Sequence, residues 1–252
     1  MSSAIYPSLR GRLVVVTGGG SGIGAALTEG FARQGARVFF LDIAEQASQA
    51  LKQDLTGCDP PPEFRACDLQ NIEALQATLS DINVDHGPID VLVNNAANDD
   101  RHALADVTPA YWDERIGVNL RHLYFAAQAV APGMRDRGRG VILNLGSISW
   151  HLGLPDLSIY ETAKAGIEGM TRALARELGT DGVRVVCIVP GNVRTPRQMQ
   201  WYTPEGEAEI VAAQCLKGRI EPMDVAALAL FLASDDARYI TGHEYFLDAG
   251  WR

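Results

Sequence analysis

Five consecutive residues, Leu13-Val14-Val15-Val16-Thr17, run without polar alternation into Gly18-Gly19-Gly20-Ser21-Gly22-Ile23-Gly24. The unbroken β-branched run suits a strand covered on both faces, as in a parallel sheet. A helical pattern follows the glycines to about Gln34. A strand that turns straight into a helix cannot close a hairpin, so the next strand must return parallel across one face of the sheet. The turn lacks side chains where the chain reverses, which leaves backbone amides free to meet a phosphate at the positive end of the helix. Its spacing, Gly18, Gly22 and Gly24, is G-x-x-x-G-x-G rather than G-x-G-x-x-G.

The alternation continues to the end of the chain. Strands are expected at 37–41, 63–67, 89–93, 141–145, 183–189 and, last and short, 244–247. Helices are expected at about 44–55 and 71–84, in a long segment opened by the N-cap Thr108 and Pro109, at 158–178 and at 221–234. Residues 57–62 read as a loop, and 1–12 as an N-terminal tail with a turn at Pro7. The resulting fold class is α/β: a single-domain, doubly wound (Rossmann) parallel sheet of about seven strands, with helices on both faces. No linker or composition shift divides 1–252, and 190–217 is assigned to a substrate-loop region.

Composition excludes several alternatives. The formal charge of −9 disfavours nucleic acid or an anionic membrane as partner. The longest apolar run, 225–233, is too short to span a bilayer, and the first twelve residues lack the apolar run of a signal peptide. Cys58, Cys67, Cys187 and Cys215 lack metal-ligand spacing and read as reduced thiols in a cytoplasmic protein, with no metal expected.

Within the helix expected at 158–178, Tyr160 and Lys164 lie four residues apart and so share a face. A free tyrosine, with a pKa of roughly 10, is a poor base at neutral pH. An ammonium about 4 Å away is worth roughly 1 kcal/mol in water but nearer 4 at an effective dielectric of about 20, so the pair makes a useful base only in a cleft closed to water. Such pairs also occur as surface residues on many helices, so the rest of the chain decides. Asp42, at the end of the second strand, stands where a carboxylate would accept from the adenosine ribose hydroxyls and repel a 2′-phosphate, favouring NAD over NADP. Asp68-Leu69 reads either as an adenine contact or as a plain helix cap.

Thr17-Gly-Gly-Gly-Ser-Gly-Ile-Gly24, Asn94-Asn95-Ala96, Asn119, Ser147, Tyr160-x-x-x-Lys164 and Pro190-Gly191 occur in this order. The chain resembles the short-chain dehydrogenase/reductase family over nearly its whole length. Ala97 departs from the glycine usual after Asn-Asn-Ala, a change that bears on loop geometry more than on chemistry. The resemblance implies four catalytic residues: Tyr160 as general base, Lys164 lowering its pKa and binding the nicotinamide ribose, Ser147 on the reacting oxygen, and Asn119 holding a water. It also implies a cofactor, NAD, held by Gly18, Ser21, Gly22, Ile23, Gly24, Asp42, Asp68, Leu69, Asn95, Ala96, Tyr160, Lys164, Pro190, Gly191 and Val193.

Within that family the chain looks like the bacterial NAD-dependent aldose 1-dehydrogenases, through Asn98-Asp-Asp-Arg-His102, Gly146-Ser-Ile-Ser-Trp-His-Leu-Gly153, Trp201-Tyr-Thr-Pro204 and Asp248-Ala-Gly-Trp-Arg252. These imply oxidation of the anomeric hydroxyl of an aldose, a pentose such as D-xylose or L-arabinose, to a lactone. A sugar needs many hydrogen-bonding partners and some flat apolar faces. Asn98, Asp99, Arg101, Ser147, Ser149, Trp150, His151, Tyr160, Asn192 and Trp201 are the expected substrate residues, with His102, Tyr202 and Trp251 as further contributors. The alternative is the same scaffold acting on another alcohol or carbonyl, such as a 3-oxoacyl group. His86, His122 and His243 read as surface or capping residues. Ala165, Gly166 and Gly169 leave room for a second helix, and the family implies a homotetramer, with Trp251 and Arg252 near a neighbouring subunit.

Overall fold

The seven strands lie in the order β3-β2-β1-β4-β5-β6-β7 and pair in parallel throughout. The computed structural model describes residues 4–252. Its strands are β1 (Leu13–Thr17), β2 (Arg37–Asp42), β3 (Glu63–Ala66), β4 (Val91–Asn94), β5 (Gly140–Leu145), β6 (Val183–Pro190) and β7 (Glu244–Leu247). Between them run α1 (Gly22–Arg33), α2 (Glu45–Asp54), α3 (Ile72–His86), α4 (Pro109–Ile116), α5 (His122–Asp136), α6 (Ser149–Leu152), α7 (Ser158–Leu178), α8 (Pro196–Met199), α9 (Pro204–Ala213) and α10 (Pro222–Ala233).

The continuous apolar strands have the cause expected of them. Alternate residues of a strand point to opposite faces. Val14 and Val16 join one core with Leu27 and Phe31 of α1 and Val225 and Leu230 of α10. Leu13 and Val15 join another with Leu75 and Leu79 of α3 and Val130 and Met134 of α5. Both faces are therefore apolar, and the strands need no alternation. The carboxyl ends at Thr17, Asp42, Asn94, Leu145 and Pro190 share one edge, where doubly wound sheets bind ligands.

Three features differ from expectation. The segment expected as a tail is anchored to the core at Leu9, its first three positions lying outside the described residues. Pro7–Leu9 is a 3₁₀ turn, Leu9 is fully buried, and Arg12 pairs with Asp235 at 2.6 Å. One apolar residue among polar ones has no period from which burial can be read. The long helix opened by Thr108 is divided by a π-helical turn, Gly117–Arg121. Finally, α6, α8 and α9 fall in segments expected as loop. Thr195-Pro196 and Thr203-Pro204 carry the same cap-plus-proline signal as Thr108-Pro109.

Candidate active site

The glycine turn is closed as tightly as its sequence demands. Gly18 has φ 62° and Gly22 φ 52°, the left-handed region that side chains disfavour. A Cβ on Gly24 would stand 1.8 Å from the Gly18 carbonyl oxygen. Asn95, just past β4, holds the turn from the side: its Nδ2 donates to Thr17 O at 3.1 Å and to Gly18 O at 2.9 Å. Asp42 Oδ2 accepts from Gly20 N at 2.9 Å and Oδ1 from Ala44 N at 2.9 Å. The turn thus packs against the carboxylate that the ribose reading requires, and both open into one cleft of about 510 Å³.

That cleft continues from the glycines to Tyr160 and Lys164. Every residue expected to hold the cofactor lines it: Gly18, Ser21, Gly22, Ile23, Gly24, Asp42, Asp68, Leu69, Asn95, Ala96, Tyr160, Lys164, Pro190, Gly191 and Val193. An elongated cleft with a side-chain-free turn at one end and a carboxylate beside it suits a dinucleotide. Ala97 also lines the cleft, and among described non-glycine residues only Asp156 and Ala249 have positive φ, so its methyl group strains nothing.

Tyr160 and Lys164 share a face of α7, with Lys164 Nζ 5.4 Å from the centre of the tyrosine ring. Lys164 is buried and donates to Leu145 O at 2.7 Å, which ties α7 to the end of β5. Burial lowers its pKa to about 8, opposed by the charges of Cys187 and Asp99. In the protein alone the phenol is held above its ordinary value, mainly by burial and then by the Asp99 carboxylate; hydrogen bonding to Ser147 and the Arg197 charge pull the other way. No lowering by Lys164 enters that balance in the protein alone, where the burial that isolates the pair disfavours the charged form of both groups.

Ser147 Oγ shares a hydrogen bond of 2.9 Å with Ser149 Oγ and accepts from Ser149 N at 3.2 Å, so it is fixed on the cleft wall at the end of β5. Asn119 is fully buried in the π turn and absent from the lining. Its Oδ1 accepts from Asn98 N at 2.8 Å, while Nδ2 donates to Asn98 O at 2.9 Å and Arg115 O at 3.0 Å. The side chain is occupied in clamping the loop after β4.

Of the expected substrate residues, Asn98, Asp99, Arg101, Ser147, Ser149, Tyr160 and Asn192 line the cleft, as do Tyr202 and Trp251. Trp150, His151, Trp201 and His102 do not. Trp150 Nε1 and His151 Nε2 turn to Glu168 Oε1, at 2.8 and 2.9 Å, because that carboxylate is buried on α7 and takes both ring nitrogens. Trp201 is 72% exposed beyond α8, and His102 Nε2 meets Ser158 Oγ at 3.1 Å.

His122, expected as a surface or capping residue, is fully buried behind the cleft, with Nε2 at 3.2 Å from Ala96 O and 3.0 Å from Val118 O. The π turn adds a residue, so a helical period carried across it goes out of phase by roughly 100°. His86 does pair near the surface, its Nδ1 at 2.8 Å from Arg37 Nη2.

Sequence reasoning passed over Arg197, Gln198 and Arg219. Arg197 Nε donates to Asp99 Oδ1 at 2.9 Å and Nη2 to Asp100 Oδ1 at 2.6 Å, closing the loop after β4 onto α8. The cap signal at Thr195-Pro196 was the available pointer to a helix there. Among the described residues no group of histidine, cysteine, aspartate or glutamate could hold a metal ion, and no helix is long and apolar enough to cross a membrane.

Comparison with known proteins agrees with this geometry. A family model described as enoyl-(acyl carrier protein) reductase matches residues 18–252. The chain is 71% identical over 252 residues, all of both chains, to D-xylose 1-dehydrogenase of Caulobacter vibrioides (strain NA1000 / CB15N). It is 48% identical, over 99% of this chain and 98% of the other, to a Rhizobium meliloti (strain 1021) protein named probable galactose dehydrogenase GalD. A crystal structure of an Agrobacterium tumefaciens protein superposes with a TM-score of 0.92 at 29% identity, covering 98% of each chain. The sheet order, the glycine turn and the Tyr160–Lys164 pair thus come with a full-length likeness, and the chain belongs to the short-chain dehydrogenase/reductase family of oxidoreductases.

Proposed function

We propose that this chain oxidises the anomeric hydroxyl of an aldose, a pentose such as D-xylose or L-arabinose, to the lactone, using NAD. The observation that carries this reading is the end-to-end 71% identity to a D-xylose 1-dehydrogenase. The cleft supports it: its substrate end is walled by Asn98, Asp99, Arg101, Asn192, Gln198 and Tyr202, with Trp251 as a flat face. Such a wall offers hydrogen-bonding partners to the hydroxyls of a sugar, beside an apolar stretch formed by Leu152, Leu154 and Leu157.

In this reading Tyr160, as phenolate, takes the hydroxyl proton while Ser147 holds the oxygen, which becomes the lactone carbonyl. When bound, the nicotinamide supplies the acceptor for the hydride leaving the anomeric carbon. Lys164 stands one helical turn beyond Tyr160 and favours the phenolate in proportion to its own charge. Asn119 acts through its clamp on Asn98, holding the loop that carries Asp99 and Arg101. NAD is preferred to NADP because Asp42 presents a negative charge at the ribose end, with both oxygens fixed by backbone amides.

A panel of aldoses and other alcohols, each run with NAD and with NADP, tests the assignment. Turnover of a pentose with NAD, and an Asp42→Ser variant improved on NADP by about tenfold or more, are expected, since removing the carboxylate removes a repulsion of the order of 1–2 kcal/mol. No turnover of any aldose would overturn it. A single-domain homotetramer in the cytoplasm accompanies the proposal: Gly169 on α7 has open space over its Cα, and Tyr124 of α5 is 49% exposed.

A further inference from the structure

One run of hydrogen bonds crosses the substrate wall and ends outside it. Arg219 Nη2 donates to Asn192 Oδ1 at 2.8 Å, and Asn192 Nδ2 donates to Tyr202 Oη at 2.5 Å. Tyr202 Oη donates to Gln198 Oε1 at 2.9 Å, and Gln198 Nε2 donates to Asp99 Oδ2 at 2.6 Å. Arg219 can only donate and an ionised Asp99 can only accept, so a single direction of donation satisfies every link. Chains with one direction polarise one another and hold their members in one orientation.

Asn192, Tyr202, Gln198 and Asp99 all line the cleft, and Arg219 does not. Its side chain is only 8% exposed. One arm of the guanidinium meets Glu207 of α9, the other meets Asn192, and its Cζ lies 5.7 Å from the centre of the Tyr202 ring. A guanidinium reaches two acceptors and an aromatic face at once, which an ammonium cannot do. Without it, Asn192 Oδ1 loses its donor in a partly buried wall and Tyr202 loses the group behind its ring.

We propose that Arg219 is a positioning residue for substrate, holding Asn192 and Tyr202 from behind the cleft wall in the orientation that a sugar meets. This rests on the aldose reading above. Arg219 touches no reacting atom, so its effect falls on sugar binding. Its direct contacts, Glu207, Asn192 and the Tyr202 ring, include none of the groups assigned to hold the cofactor or move the proton.

The test is steady-state kinetics of Arg219→Met and Arg219→Lys, alone and with Asn192→Ala. Arg219→Met is expected to raise the KM for the aldose by about tenfold or more, with kcat within about threefold and the KM for NAD within about twofold. Arg219→Lys keeps the charge on Glu207 but not the bridge, and falls between. In the Asn192→Ala background the same changes are expected to add less than about threefold, because the link they break is already gone. An unmoved aldose KM, an equal factor in both backgrounds, or a matching rise in the KM for NAD would each overturn the inference. If the methionine variant does not fold, the lysine variant carries the same comparison. An unaltered chain that oxidised no aldose would overturn the proposed function along with this inference. Aldose oxidation with an unmoved KM in the variants would overturn the inference alone.

Discussion

Nε2 of His122 faces the carbonyl oxygens of Ala96 and Val118, so it carries the ring's proton, and Nδ1 is a buried acceptor without a partner. Burial lowers the pKa of this histidine to about 4, and the nearby Lys164 charge pulls the same way. The unfolded chain binds a proton near pH 6.5, which the folded chain refuses until about pH 4. Folding stability is therefore whole above pH 6.5 and is lost as pH falls to about 4, by about 3 kcal/mol in all. Replacing His122 with Gln keeps an amide to donate to the two carbonyls and removes the titration. Denaturant unfolding of both proteins at pH 7 and pH 5 checks this: the unaltered chain should lose about 2 kcal/mol more than the variant over that interval. Equal losses would mean that His122 titrates normally.

At the scale of elements, the sequence is most readable where a period runs unbroken. Helix α7 was bounded at Ser158 and Leu178 because Ile159, Ala163, Ile167 and Leu178, all buried, keep one stripe. It fails where a local insertion shifts the phase, as the π turn does between α4 and α5, and where a side chain's direction depends on a distant partner. Nothing near Trp150 or His151 announces that Glu168, on another helix, will take their ring nitrogens. The site was legible in the same way. The glycine turn, Asp42, Ser147, Tyr160 and Lys164 meet because strand ends must meet. The Arg197 and Arg219 contacts belong to a one-turn helix and a loop whose paths no period records. The strand–turn–helix unit makes its own prediction. Gly24→Ala places a methyl group against the Gly18 carbonyl, 1.8 Å from the Cβ position, so the turn must open. Calorimetric titration with NAD should show affinity reduced by at least about a hundredfold, because the amides no longer converge on the pyrophosphate. Unchanged affinity would remove the turn from the nucleotide site.

Across the whole molecule, the net charge of −9 and an anionic cofactor are compatible because the cleft confines its phosphate-binding groups to backbone amides at one helix end. The negative charges nearest the chemistry are paired: Asp99 with Arg197 and Gln198, and Asp100 with Arg197 and Arg115. The two halves of the sheet thus divide the work. In the proposed reading β1 to β3 carry the adenosine and phosphate end, β4 to β6 carry the proton-transfer groups, the sugar wall and the remaining cofactor contacts, and the cleft joins them at Lys164 and Leu145. The account depends on Tyr160 moving a proton in that shared space. Its most direct test is the rate of NAD reduction by Tyr160→Phe with D-xylose, measured from pH 6 to pH 10. A loss of at least about a thousandfold at every pH, with the sugar KM little changed, is the expected result. Turnover at the rate of the unaltered chain would contradict it.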